Sequence, residues 1–241
     1  MTSSSTVLSG AGLGAAFLVV LGLALPLAPV QADSAAQALP PPALDTPQTS
    51  SRSQTTVFAG GCFWGVQGVF EHVKGVTLAV SGYTGGHVAK PDYEQVSSGK
   101  TGHAESVRVT FDPTQVSYGT LLRIFFSVAL DPTQKDRQGP DTGTQYRSAL
   151  FVSGPEQERV AKAYVAQLEA AHAFSRPIVT RIDKAGPFYP AEAYHQDYLE
   201  RNSDEAYIAT NDLPKVRALQ SLFPQNWQAT PVTVGKLTSD D

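Results

Sequence analysis

The chain has one cysteine, Cys62, in 241 residues. That scarcity excludes any intramolecular disulfide and any multi-cysteine zinc site. Its five histidines are scattered without the paired spacing of metal ligands, so no structural metal is expected. Positive charge is also thin. Lys and Arg number 18 against 22 Asp and Glu, the formal net charge is -4, and no basic run occurs. A general nucleic-acid surface and a polybasic membrane patch are therefore not expected. No internal repeat is visible. Gly85 and Gly86 are followed by no P-loop lysine, so they read as a turn and not as a phosphate cradle.

Before Arg52 there is neither lysine nor arginine, yet residues 11–30, "AGLGAAFLVVLGLALPLAPV", form an uncharged apolar run broken by Pro26. Small residues at Val30 and Ala32 suit a signal-peptidase site. Residues 1–32 are read as a signal peptide, with an uncleaved membrane anchor as the alternative because the run approaches bilayer length. Export is expected on either reading: a periplasmic or extracellular protein, or one anchored with its domain outside the cytoplasm. Residues 33–53 turn to Ser, Ala, Pro, Gln and Thr and read as a disordered linker. The folded domain is expected over 54–224, followed by a polar, loosely held tail at 225–241.

Within that domain short strand patterns alternate with amphipathic helices. "VTLAVSGYTGG" and "AESVRVTFDP" alternate like strands and end in turn residues. "SYGTLLRIFFSVA" carries an apolar helical stripe behind Ser117 as N-cap, and Pro155 opens a second helix. "RPIVTRID" reads as a strand and "AEAYHQDYLER" as a short helix. The mixture points to an α/β or α+β sheet domain.

Two residues carry chemistry in this pattern. Cys62, in "VFAGGCFWGVQGVF", falls where a strand gives way to a helix. A helix N-terminus favours an anion, so the thiol pKa is expected to be lowered and the thiolate to be a nucleophile. A small buried hydrophobe is the alternative for a lone cysteine. Glu105 shares a strand face with Val107, Val109 and Phe111, so a carboxyl points with the hydrophobics. Burial there would keep it protonated and available as a general acid; the alternative is a shifted register or a strand end that reaches solvent. Phe63 and Trp64 either close the core or line a dry pocket beside the sulfur, and spacing does not decide between them.

"GCFWG" at 61–65, "SGYTGG" at 81–86, "PDYEQVSSGKTGHAESVRVTFDP" at 91–113 and "DTGTQYRSALF" at 141–151 together resemble the A-type peptide methionine sulfoxide reductases. The likeness runs on through "GPFYPAEAYHQDYL" and "NDLPKVRALQSLFP" to Pro224. It implies a two-layer, ferredoxin-like α+β sandwich with a mixed sheet and flanking helices. By the same resemblance Cys62 attacks the sulfoxide sulfur and Glu105 protonates its oxygen. Phe63 and Trp64 then cage the S-methyl group, Tyr93 and Tyr146 offer hydroxyls to the oxygen, and Asp141 completes the pocket. It further implies selectivity for the S epimer in oxidised proteins and peptides, and possible action on free methionine sulfoxide, without a bound cofactor.

Many relatives carry further cysteines near the C-terminus, but none follows Cys62 here. A sulfenic acid formed on Cys62 would need an external thiol, either a small molecule or a thioredoxin-like protein. Tyr83 and Tyr198 stand as site walls or core aromatics. His103 and His195 read as hydrogen-bonded structural residues. Two rival functions remain: a cysteine hydrolase using an imidazole such as His195, and a non-catalytic binder of methionine-rich or oxidised segments. The second leaves Glu105 unexplained.

Overall fold

The computed structural model describes residues 1–3, 36–47 and 49–237. Residues 33–241 make one compact unit and residues 1–32 another. The expected export segment lies, from residue 4 onward, outside the described residues.

The strand read before the cysteine is β1 (Gln54–Gly60), and α1 (Phe63–Glu71) follows with Cys62 as its N-cap residue. Gly61 makes the turn between them at φ 93°, and a Cβ there would run into Gln138. Only glycine fits this left-handed, crowded position. The chain continues through β2 (Val76–Thr84), α2 (Tyr93–Ser97) and β3 (Ala104–Phe111). Ser117 caps α3 (Tyr118–Ile124), as expected, by accepting the Thr120 N–H, and a π turn at Phe125–Ala129 prolongs that helix.

A small hairpin, β4 (Arg137–Gln138) with β5 (Asp141–Thr142), precedes β6 (Ser148–Val152) and α4 (Pro155–Ala170). Then come β7 (Arg181–Lys184) and β8 (Tyr189–Pro190). The helix expected over "AEAYHQDYLER" is broken in two, because Asp197 adopts φ 52°. A 3-10 turn at Ala193–His195 precedes α5 (Tyr198–Arg201). A π turn at Ile208–Asp212 leads into α6 (Leu213–Leu222), and α7 (Val234–Leu237) ends the described chain.

The main sheet has the order β7-β6-β1-β3-β2-β8. Its central four strands are antiparallel and β6–β7 is parallel. The crossover from β1 through α1 to β2 leaves room for β3 between them, which is the split βαβ of ferredoxin-like folds. The expected α+β fold with a mixed sheet and flanking helices is the one observed. Side chains alternate across β1, so Phe58 enters the main core while Val57 and Ala59 join a small cluster on the other face with Phe151 and Phe188. Phe58 stacks on Phe70 of α1 at 4.7 Å and on Phe125 at 4.9 Å. This contact fixes α1 over the sheet, and Cys62 at its start.

Described residues of both flanks pack on the domain. Residues of the expected linker are anchored to the helices: Leu39 is buried, its carbonyl accepts from Arg123, Tyr164 donates to the Pro40 carbonyl, and Asp45 accepts from the Gly119 N–H. A composition too polar for an independent core still docks when prolines extend it and a helical face offers partners. Described residues of the expected loose tail are held as well. Trp227 stacks on His72 at 4.4 Å, and Asp197 accepts the Val234 and Gly235 N–H groups.

Candidate active site

Cys62 sits at the C-terminal end of β1, and Glu105 lies near the start of the neighbouring strand β3. Glu105 is 2% exposed on the face that carries Val107 and Val109, as its alternation predicts. Its Oε2 accepts the backbone N–H of Phe63, the first residue of α1, at 3.1 Å. Burial pushes its pKa up to about 8, so the carboxyl is protonated at neutral pH.

The expected lowering of the Cys62 pKa is corrected. Burial raises it well above the ordinary thiol value, and Glu105 and Asp212 add to the rise. The Trp64 N–H and the Lys215 ammonium pull the other way and do not outweigh it. A helix terminus helps a thiolate, but here it is enclosed with acidic groups. The resting site therefore retains both protons, one on sulfur and one on Glu105.

Cys62, Phe63, Trp64, Tyr93, Glu105, Asp141 and Tyr146 all line one pocket of about 80 Å³. A water's share of liquid volume is about 30 Å³, so this pocket takes a single small group. All seven residues expected around the reaction are thus brought together, from five separate parts of the chain. Capping by Asp92 opens α2 and sets Tyr93 at its first position, while Glu192 accepts both the Tyr93 N–H and the Tyr83 hydroxyl at 2.9 Å. Tyr83 is fully buried behind Phe63, with ring centroids 5.8 Å apart, and is a core residue supporting the pocket. Tyr198 stacks on Trp64 at 3.9 Å and forms its outer wall.

The histidines behave as expected of structural residues. His103 accepts the Gly86 N–H through Nδ1 and donates through Nε2 to the Val88 carbonyl. His195 accepts the Trp64 indole N–H through Nδ1 at 3.1 Å and packs against Phe63 and Tyr93. Its Nδ1 serves the indole, which disfavours the hydrolase reading that needs this imidazole as the base for Cys62.

Sequence reasoning missed Tyr207 and Asp212. Tyr207 lines the pocket and donates its hydroxyl to Asp141 Oδ2. Asp212 is wholly buried, pairs with Lys215 at 3.0 Å, and is packed so closely against Gly65 that no Cβ fits there. Both come from the π turn ahead of α6 and its flank, and no local pattern marks that turn as adjoining Cys62. The pocket can hold one apolar methyl-sized group against aromatic rings, with a protonated carboxyl and tyrosine hydroxyls beside a thiol.

Residues 54–227 match the family model described as Peptide methionine sulfoxide reductase. Peptide methionine sulfoxide reductase MsrA 2 of Mesorhizobium japonicum is 56% identical over 182 residues, spanning 76% of this chain and 93% of that protein. The protein of the same name from Synechocystis sp. is 46% identical over 212 residues, 87% of this chain and 99% of its own. Among solved structures, methionine sulfoxide reductase A of Corynebacterium diphtheriae is 36% identical with a TM-score of 0.55, covering 64% of this chain and 77% of that one. Reduced Mxr1 of Saccharomyces cerevisiae is 30% identical with a TM-score of 0.56, covering 66% and 91%.

Proposed function

We propose that this chain, which belongs to the peptide methionine sulfoxide reductase family, carries out its reaction with Cys62 as nucleophile and Glu105 as acid. The chain is an oxidoreductase that repairs methionine sulfoxide in peptides and proteins at the expense of thiols. The single observation that carries the residue assignment is the placement of a buried, protonated Glu105 in the same small pocket as Cys62.

The sulfoxide enters with its methyl group against Phe63 and Trp64 and its oxygen toward Glu105, Tyr93 and Tyr146. Sulfoxide oxygen is a poor leaving group until protonated, and sulfur becomes electrophilic as that proton arrives. Glu105 gives its proton to the oxygen, the Cys62 sulfur attacks, and the thiol proton returns to Glu105. The sum is sulfoxide plus thiol giving thioether plus sulfenic acid on Cys62, so atoms and charge balance. A chiral sulfur held by one methyl cage and one oxygen site accepts one epimer, the S form. With no second cysteine in the chain, an external thiol, either a small molecule or a thioredoxin-like protein, returns Cys62 to the reduced state.

Export is part of the same proposal. It rests on the uncharged apolar run at 11–30 and the small residues at Val30 and Ala32. N-terminal sequencing of the mature protein tests it: a start near residue 33 supports cleavage, and an intact Met1 in a cytoplasmic fraction contradicts export.

The reaction is tested with resolved S and R methionine sulfoxide peptides and excess dithiothreitol, with Cys62→Ser as control. Loss of the S form alone, abolished in the control, is the expected result. Loss of the R form, or activity surviving in Cys62→Ser, overturns the assignment.

A further inference from the structure

Cys62 borders two cavities. Besides the substrate pocket, it lines a larger one of about 280 Å³ between residues 127–141 and 207–215. Asp141 and Tyr207 line both, so their hydrogen bond stands as a partition, whereas Trp64, Tyr93 and Glu105 line the substrate pocket alone. Lys215 is the one cation among the described residues lining the larger cavity. Its ammonium is held by the buried Asp212 carboxylate, and both groups press on Gly65 in the first turn of the helix that Cys62 caps. At the sulfur the Asp212 charge outweighs that of Lys215, so this pair supplies no net attraction for an anion.

The second half of the reaction needs an entrance to Cys62. The oxygen taken from the substrate lies on the Glu105 side of the sulfur. Substitution at sulfur is in line, so the incoming sulfur approaches opposite the departing oxygen, away from the substrate pocket. We propose that the larger cavity is the entrance through which the reducing thiolate reaches Cys62. The proposal rests on the reading of Cys62 as the reductase nucleophile.

In the step itself a thiolate sulfur bonds to the Cys62 sulfur and the S–O bond breaks. The oxygen leaves as water, taking a proton from Glu105. A second thiolate then attacks the mixed disulfide, the two donor sulfurs are oxidised to a disulfide, and Cys62 departs as thiolate and regains a proton. Electrons flow only from the thiols to the sulfenic sulfur.

Thr210 lines the cavity from an exposed position and is absent from the substrate pocket. Thr210→Trp is expected to obstruct the entrance. Two phases are measured by rapid quench: formation of the Cys62 sulfenic acid without thiol, then its decay on adding dithiothreitol or, separately, a reduced thioredoxin. In Thr210→Trp the first phase is expected within about twofold of the unmodified protein and the second slowed at least about tenfold.

Slowing with dithiothreitol alone, with thioredoxin alone, or with both supports the entrance and identifies which thiols use it. Wild-type decay rates in Thr210→Trp with both donors overturn the proposal. So does a Thr210→Trp protein that slows both phases equally. Failure of the unmodified protein to form any sulfenic acid overturns the reductase reading, and the entrance falls with it.

Discussion

The Phe63 backbone N–H donates to Glu105 Oε2 at 3.1 Å, tying the acid to the helix that begins beside Cys62. The bond fixes the acid's position without consuming its proton. Glu105→Gln retains an acceptor for Phe63 and loses only the transferable proton. A fall in kcat of about 10²–10⁴-fold with the fold intact is expected, read by steady-state kinetics alongside circular dichroism.

The same carboxyl sets a pH dependence. Its folded pKa of about 8 lies above the ordinary glutamate value, so the folded state holds a proton that the unfolded state has released at neutral pH. Stability associated with this group is fully present below the unfolded pKa and is lost as pH rises toward about 8. Within that window the loss approaches roughly 1.4 kcal/mol per pH unit. Glu105→Gln should flatten this slope in denaturant titrations across pH, and kcat/KM of the unmodified enzyme should fall above about pH 8. A slope unchanged by the substitution would assign the dependence elsewhere.

Cys62 is expected to alkylate slowly. Burial and the neighbouring acids hold it as a thiol, so iodoacetamide at pH 7 should react more slowly than with free cysteine. Glu105→Gln removes one acidic neighbour and should shift the alkylation profile to lower pH. A faster-than-free reaction at pH 7 would restore the helix-terminus expectation.

The aromatic wall is predicted to act on binding. Trp64 is held by the Tyr198 ring and by its indole N–H bond to His195. Trp64→Ala should cost about 1–3 kcal/mol of substrate interaction, visible mainly as a higher KM. Tyr198→Ala should give a smaller change in the same direction.

Trp227 supplies a test outside the site. Its stacking on His72 and the adjoining Gln228 N–H bond to the His72 carbonyl tie the C-terminal segment to the end of α1. Trp227→Ala should lower stability by about 1–3 kcal/mol in urea unfolding, with kcat little changed.

What was legible in the sequence follows from the range of the forces involved. Alternation along β3 exposed Glu105, and the strand-to-helix switch exposed Cys62, because both signals are local. The roles of Phe63, Trp64, Tyr93, Asp141 and Tyr146 came from resemblance to a family, and the structure gathers those side chains into one pocket. Tyr207, Asp212 and Lys215 arrive from roughly 150 residues further along by tertiary packing, without a local mark. Burial, with Glu105 and Asp212 adding to it, is why a helix terminus alone misjudged the Cys62 proton. Leu39 was hidden in a polar, proline-rich segment whose docking depends on partners in α3 and α4.

The most direct test of the account is a single turnover without reductant, counting methionine formed per protein and trapping Cys62 with a sulfenic-acid reagent. One equivalent of methionine with a trapped Cys62, both suppressed in Glu105→Gln, is the predicted result. Methionine formed without any sulfenic acid on Cys62, or an undiminished burst in Glu105→Gln, would contradict it.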